Sequence, residues 1–362
     1  MTDRERTLAI LNYQKADKMP VVHFGYWGET LAKWHEEGHI TKEDAVHWGN
    51  EIEKKLGFDF EWNPSGGTGS GMNPVFKEHL IEKREDGSYL WFDGYGVTLL
   101  KKEGNVSIPA EVAHSLVDRA SWERDFKHRF QFFKERVPDF SWIKDTHTDK
   151  PRGLHLGSLF GDLRNIIGVV NISYMYADDE ELYKEIIDTN ADLIYKCTEK
   201  ALSQGVKFDY AHFWEDICFK NGPLISPAVF EEFVAPHYKR ITNLCNSHGI
   251  NIISLDCDGM IDALVPIWLE NGVNTMFPIE VGTWEASIKP WREKYGKKLL
   301  GIGGMDKRVF AQDYAAVDKE IERLKELIEL GGYIPCPDHR IAPDAIWENV
   351  QYYCEKMQGL KI

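Results

Sequence analysis

Short apolar segments alternate with amphipathic segments along most of this chain, which is the pattern of an α/β protein. From about residue 153 onward, apolar runs predict strands at 153–157, 206–213, 250–256, 273–279, 298–303 and 332–335. Helical spacing predicts helices at 158–167, 179–203, 226–247, 259–270, 284–294, 314–329 and 344–357. Gly205 and Gly249 directly precede two of the strands, as is typical of helix ends that lead into short loops.

The N-terminal half supplies the two remaining strands. Residues 19–24 form a β-branched and aromatic run that predicts a first strand, and the segment 58–62 is an ambiguous second one. Capped helical patterns cover 2–14 and 41–56, with Trp48 on the apolar face of the latter. Eight strand–helix alternations favour a closed (β/α)8 TIM barrel, and an open doubly wound sheet is the alternative.

Residues 75–103 depart from this alternation. The segments 79–83 and 89–92 flank a turn at Asp86 and Gly87, which predicts an antiparallel β-hairpin inserted into the barrel. Because no linker, repeat or low-complexity tract interrupts the sequence, we expect one barrel domain over residues 1–362, with the insertion at about 75–103.

The charge balance excludes several classes of partner. The 43 Lys and Arg residues against 58 Asp and Glu residues give a net charge of −15, which argues against nucleic-acid and anionic-membrane partners. No run approaches the roughly 18 apolar residues of a membrane span. The first residues carry mixed charges without an apolar stretch, and the six cysteines never form a CxxC pair, so we expect a cytoplasmic protein.

Acidic residues recur where the predicted strands end, and in such barrels the chemistry lies at the carboxyl ends of the strands. The candidates are Glu215, Asp256, Asp258, Glu280, Asp306 and His339. Neighbouring carboxylates repel each other unless a cation neutralises them, and a divalent metal ion accepts oxygen and imidazole ligands. Purely structural roles stay open for three of these residues: Asp258 could cap a helix, Glu215 could pair with an arginine, and His339 could be a hydrogen-bonded loop residue.

Aromatic residues crowd the same strand ends, which predicts a small-molecule pocket with aromatic walls. We expect four residues to contact the substrate, namely Tyr26, Trp27, His212 and Trp214. Glu280 and Asp306 would orient the substrate or a water molecule during catalysis. The small number of arginines near these ends argues against a substrate with many carboxylates.

Several segments together resemble the uroporphyrinogen decarboxylase superfamily over nearly the whole chain. These segments are 157–160, 177–179, 214–216, 220–227, 256–259, 278–280, 303–308 and 335–339. The resemblance implies a (β/α)8 barrel, in agreement with the periodicity. True decarboxylases carry an arginine-rich segment just after the first strand, whereas residues 24–29 contain no arginine here. The sequence is therefore more similar to the other branch, the cobamide-dependent methyltransferases.

In that branch, zinc is bound by an HxC pair after the fifth strand, a cysteine after the eighth and sometimes a glutamate after the fourth. The resemblance implies that Asp256 and Asp258, His339 and Glu215 occupy these positions. Oxygen ligands in place of thiolates would make the zinc a harder Lewis acid, which suits the activation of a methyl ether. The implied activity is that of the first methyltransferase of an O-demethylase system, acting on a methoxylated aromatic as methyl donor.

The methyl acceptor in such systems is a corrinoid (cobalamin) carried by a separate protein. Residues 145–150 are similar to the DxHxxG signature of corrinoid-binding modules, but Lys150 replaces the glycine, so the corrinoid would arrive on a partner. Two other interpretations stay open. One is a metal-free decarboxylase of a small or porphyrinogen-like acid, with Asp256 or Asp258 as proton donor, and the other is a non-catalytic binding barrel. Dimers are common in the superfamily, so the resemblance is also compatible with a homodimer.

Overall fold

The computed structural model describes residues 1–47, 50–103, 108–144 and 146–361, and strands alternate with helices along most of them. The strands are β1 (Val22–His23), β2 (Phe60–Glu61), β3 (Gly66–Gly67), β4 (His79–Lys83), β5 (Ser88–Phe92), β6 (Val97–Lys102), β7 (Ala110–His114), β8 (Gly153–Gly157), β9 (Tyr210–Trp214), β10 (Cys218–Phe219), β11 (Gly222–Pro223), β12 (Ile252–Asp256), β13 (Thr275–Phe277), β14 (Leu300–Met305) and β15 (Tyr333–Pro337).

The α-helices lie between these strands and at both ends of the chain. They are α1 (Asp3–Leu11), α2 (Gly28–Glu36), α3 (Lys42–His47), α4 (Asn50–Leu56), α5 (Arg119–Ser121), α6 (Ser141–Lys144), α7 (Gly161–Ile167), α8 (Val169–Asp178), α9 (Glu180–Leu202), α10 (Pro227–Phe233), α11 (Ala235–Ser247), α12 (Val265–Glu270), α13 (Val281–Trp284), α14 (Ile288–Tyr295), α15 (Tyr314–Ile328) and α16 (Trp347–Gln358). A π-helical turn at Trp122–Phe126 and 3₁₀ helices at Lys127–Phe130, Lys134–Arg136, Gly296–Lys298 and Lys307–Ala311 complete them.

Parallel strands form the centre of the molecule. Seven of them make one sheet in the order β15-β14-β13-β12-β9-β8-β3, and β1 pairs in parallel with β2. A parallel bridge between Tyr26 and Ile341 joins the segment after β1 to the segment after β15. With β2 and β3 counted as one interrupted strand, eight strands follow each other around the ring, which confirms the predicted (β/α)8 TIM-barrel fold.

The barrel strands are buried because helices cover their outer face. All five residues of β12 are buried, as expected for a strand between the barrel interior and a helical layer. The longest helix, α9, is capped by Asp179, whose side chain accepts a hydrogen bond from the Leu182 amide, and its apolar stripe packs inward. Each fully buried Leu or Ile side chain on such a stripe contributes about 1.5–3 kcal/mol to stability.

The predicted hairpin is part of a larger antiparallel sheet. Strands β4, β5, β6 and β7 pair in chain order, so the segments 79–83 and 89–92 are confirmed as a hairpin and two strands extend it. The sequence pattern missed β7 because most of its residues are exposed and it lacks a clear apolar alternation.

Two predicted helices are divided in the structure. The segment 41–56 forms α3 and α4, and Trp48 lies outside the described residues. The segment 226–247 forms α10 and α11, because Pro236 has no amide to donate to the preceding turn. Among the described helices, none combines the length and apolar character needed to cross a bilayer.

Candidate functional site

A cavity of about 560 Å³ opens at the carboxyl-terminal ends of the barrel strands. Its walls combine aromatic, acidic and imidazole side chains with backbone from β3. They are Phe24, Trp27, Glu61, Trp62, Asn63, Pro64, Gly66, Gly67, Ile108, His155, His212, Trp214, Asp216, Asp256, Asp258, Phe277, His339 and Arg340. Apolar walls with a few polar groups are typical of small-molecule sites in proteins.

Three aspartates form the acidic centre of this cavity. One carboxylate oxygen each of Asp216, Asp256 and Asp258 lies within 4.8 Å of the others. The cluster forms because β9 and β12 are neighbours, and Asp256 ends β12 while Asp216 lies two residues beyond β9. Asp216 has a φ of 46°, unusual for a residue with a side chain, and its Oδ1 accepts the Asp258 amide at 3.0 Å.

The electrostatics of this cluster are unfavourable without a cation. Burial and the neighbouring charges of Asp216 and Asp258 raise the pKa of Asp256 well above its ordinary value. The same two causes, burial and Asp258, raise the pKa of Asp216 to about 6. The Oδ1 atom of Asp258 is buried and has no hydrogen-bond partner among the described residues. Crowded carboxyl groups and a buried oxygen without a partner fit a divalent cation.

His339 contacts this cluster through Asp258. Its Nε2 lies 3.3 Å from Asp258 Oδ2, while its Nδ1 accepts the backbone amide of Arg340 at 2.8 Å. This pattern assigns the proton of the neutral ring to Nε2, which then donates to Asp258. Trp27 stacks on the ring with 5.5 Å between centroids. The geometry supports a role in positioning Asp258, and ligation of a metal by His339 stays a prediction.

The structure does not bring Glu215 to the aspartate cluster. The carboxylate of Glu215 is fully buried behind β9 and accepts hydrogen bonds from five donors. The donors are the Ser158 hydroxyl, the amides of Leu159, Phe160 and Gly161, and the Tyr238 hydroxyl. Burial raises the pKa of Glu215, and these hydrogen bonds oppose the rise. In the structure, Glu215 therefore links β9 to the beginning of α7 and to α11.

Asp216 occupies the place at the cavity where Glu215 was expected. Successive side chains of an extended segment point to opposite sides. Trp214 lines the cavity, so the next residue that faces it is Asp216, and Glu215 points into the helical layer. The alternation along residues 214–216 is the sequence signal that would have identified Asp216.

The two residues expected to orient the substrate lie outside the cavity walls. Glu280 accepts the Gly259 amide at 2.5 Å and the Thr283 hydroxyl at 2.9 Å, so it supports the turn that carries Asp258. Asp306 accepts two hydrogen bonds of 2.8 Å from the Arg308 guanidinium and lines a separate cavity together with Arg308.

Three of the four predicted substrate contacts line the cavity: Trp27, His212 and Trp214. The structure places Tyr26 elsewhere, because its side chain is 4% exposed and packs against Trp34 in the core. Phe24 and Phe277 belong to the aromatic residues that the sequence places at the strand ends, and they line the cavity as an edge-on pair with 4.5 Å between centroids. Sequence reasoning missed Trp62, which stacks on Tyr210 at 4.1 Å, because the segment 58–62 was an ambiguous strand.

Comparison with known proteins adds a family to this geometry. A sequence model of the uroporphyrinogen decarboxylase (URO-D) family matches residues 163–360, more than half of the chain. The chain belongs to this family. No curated protein matches the chain in a sequence search.

Solved structures show a similar fold. A methyltransferase from Methanosarcina mazei has a TM-score of 0.60 and 14% sequence identity, and the similarity covers 99% of each chain. A B12-independent methionine synthase from a Shewanella species has a TM-score of 0.47 and 12% identity, covering 94% of this chain and 98% of the other. The first similarity shows that this member of the family shares its fold with a methyltransferase.

Proposed function

We propose that this protein is a methyltransferase that moves a methyl group from a small methoxylated aromatic to the cobalt of a corrinoid carried by a separate protein. The observation that supports the proposal best is the cluster of Asp216, Asp256 and Asp258 in a cavity with aromatic walls. Family membership and the shared fold of the M. mazei methyltransferase are consistent with it.

In this proposal, Asp216, Asp256 and Asp258 hold a divalent cation, zinc, and His339 keeps Asp258 in place by its hydrogen bond. A zinc ion bound there would supply Lewis acidity toward the ether oxygen, whose departure as a phenolate otherwise limits the transfer. Glu280 stabilises the same site indirectly, because it accepts a hydrogen bond from the amide of Gly259, the residue after Asp258.

The remaining walls orient the substrate and exclude water. The edge-on pair Phe24 and Phe277 and the indoles of Trp62 and Trp214 offer apolar surfaces to an aromatic ring. A ring held between them can direct its methyl group toward the open end of the cavity. The corrinoid protein would approach from that end, because cobalt has to reach the methyl carbon directly.

The chain itself offers little to hold a corrinoid in the region similar to the DxHxxG signature. Asp145 lies outside the described residues, and His147 is exposed and pairs with Asp149 at 3.0 Å. The six cysteines are free and buried, which is compatible with the proposed action in a reducing, cytoplasmic compartment. A homodimer stays a prediction.

Metal analysis and a methyl-transfer assay test the proposal together. The purified protein should contain about one equivalent of zinc and should convert cob(I)alamin to methylcobalamin, followed by absorbance, with at least one methoxylated aromatic. Asp258→Asn should lower both readouts at least tenfold, because it removes one charge and one oxygen ligand. Asp192→Asn is the matched control, since Asp192 is an exposed carboxylate of α9. Metal and activity retained in Asp258→Asn would contradict the proposed site.

One observation favours a second candidate, a metal-free decarboxylase. The raised pKa of Asp256 keeps its carboxyl group protonated closer to neutral pH, as a proton donor requires. The bond between the substrate carbon and its carboxylate would break, carbon dioxide would leave, and Asp256 would deliver its proton to the carbon. Carbon dioxide release from a small acid that persists after chelation, and is lost in Asp256→Asn, would favour this reaction.

A further inference from the structure

Two imidazoles and a hydroxyl form a polar row deeper in the barrel than the aspartate cluster. These residues are neighbours across three adjacent strands: His155 of β8 lies opposite His212 of β9, and His212 lies opposite Ser254 of β12. Both imidazoles line the cavity, with 5.9 Å between their centroids. Since Asp256 lies two residues beyond Ser254 on the same strand, the row is about 7 Å deeper than the cluster.

The hydrogen bonds of this row assign the tautomer of His212. The Ser254 hydroxyl has one proton, which it donates to the Ala211 carbonyl at 3.3 Å. The arrangement that satisfies both contacts of this hydroxyl then has it accept a hydrogen bond from His212 Nδ1, which lies 2.7 Å away. Burial lowers the pKa of His212 well below its ordinary value, so the ring is neutral and its Nε2 is an acceptor. Burial also lowers the pKa of His155.

The charges of the cavity disfavour an anionic substrate. Among the described residues that line it, four carry carboxyl groups, namely Glu61, Asp216, Asp256 and Asp258, and the guanidinium of Arg340 is the one permanent cation. A divalent ion on the three aspartates would still leave this lining with a net negative charge. The charge of Arg340 already acts on Asp256, where it opposes part of the rise in pKa. A substrate carboxylate placed at the deep end would face neutral imidazoles that carry no positive charge to bind it.

We propose that the substrate is a neutral methoxylated phenol, whose hydroxyl donates a hydrogen bond to His212 Nε2 while its methoxy group faces the aspartates. The reaction assigned to this substrate rests on the proposed function, but its binding does not. A hydroxyl across the ring from the methoxy group suits the depth that separates the histidine row from the cluster. A phenol with a pKa near 10 stays neutral at pH 7.

A set of three para-substituted probes tests this inference by calorimetric binding to the purified protein, without corrinoid. The probes are 4-methoxyphenol, 4-methylanisole, which has a methyl group in place of the hydroxyl, and 4-methoxybenzoate. We expect 4-methoxyphenol to bind at least about tenfold more tightly than each of the others. His212→Phe should remove this preference while the affinity for 4-methylanisole stays within about twofold, and His212→Gln should restore part of it.

His248→Phe is the matched control, since His248 is exposed at the end of α11. Equal affinity for 4-methoxyphenol and 4-methylanisole, or tighter binding of 4-methoxybenzoate, would overturn the inference. A preference that survives His212→Phe would also overturn it. The proposed function fails separately: selective binding of 4-methoxyphenol without methylcobalamin formation would contradict the methyltransferase and leave the phenol site intact.

Discussion

Glu215 offers a direct test of how the end of β9 is organised. Glu215→Gln keeps the volume of the side chain and replaces one carboxylate oxygen by an amide nitrogen. The Oε2 atom accepts from Ser158, Phe160 and Gly161, so the amide is expected to replace Oε1, which accepts from Leu159 and Tyr238.

The cost of this substitution can be worked out from its contacts. Tyr238 can turn its hydroxyl to accept from the new amide, but the Leu159 amide then faces another donor, which costs about 1–3 kcal/mol. Loss of the negative charge at the beginning of α7 adds about 0.5–1 kcal/mol. The unfolding entropy of 362 residues is about 0.8 kcal/mol/K, so a total of about 1.5–4 kcal/mol corresponds to a decrease in Tm of about 2–5 °C.

Thermal unfolding by circular dichroism and metal analysis together decide the role of Glu215. We expect Glu215→Gln to unfold at lower temperature while its zinc content equals that of the parent protein. Glu232→Gln is the control, because Glu232 is an exposed glutamate of α10. An unchanged Tm with loss of zinc would refute the reasoning and would identify Glu215 as a metal ligand.

Three further predictions concern the same region. Asp258→Asn should raise the Tm of the chelated protein by about 1–4 °C, because it removes repulsions of about 1–3 kcal/mol with the two other aspartates; a lower Tm would contradict this. Burial and Glu215 raise the pKa of Asp162 to about 7, so its contribution to stability is present below about pH 4 and is lost as the pH rises to about 7, by up to about 4 kcal/mol. The parent protein should therefore lose more Tm between pH 5 and pH 8 than Asp162→Asn does. An equal loss in both proteins would contradict the raised pKa of Asp162. Gly161→Ala should destabilise the protein by about 1–3 kcal/mol, because its Cβ would lie 1.9 Å from the Glu215 carbonyl, whereas Gly28→Ala should not, since nothing lies within 4 Å.

The barrel could be predicted from the sequence because its strands are short, apolar and separated by amphipathic helices. The segment 153–157 coincides with β8, and 179–203 differs from α9 by one residue at each end. The predicted strand at 206–213 begins too early, since β9 begins at Tyr210 and the preceding apolar residues pack as a loop. Apolar character shows burial, but backbone pairing sets the strand boundaries.

The candidate site was predictable only in part. The placement of Asp256 and Asp258 follows from the end of one buried strand and its alternation. Whether Asp216 or Glu215 faces the cavity depends on which side chain of β9 points inward. Alternation from Trp214 favours Asp216, but the left-handed backbone of Asp216, which ends the extended segment, cannot be read from the sequence. The histidine row depends on the register between three strands, which is a property of tertiary structure.

At the end of β9, Trp214 and Asp216 face the cavity and Glu215 faces the helices, which restricts how this segment can change. A substitution at one of these positions alters only the side that it faces. Inserting or deleting one residue before them would turn all three side chains to the opposite side. The side chains of Trp214 and Asp216 would then be buried against the helices, and the side chain of Glu215 would point into the cavity. Loop lengthening intended to alter specificity is therefore safer beyond Asp216, where the chain leaves the barrel wall.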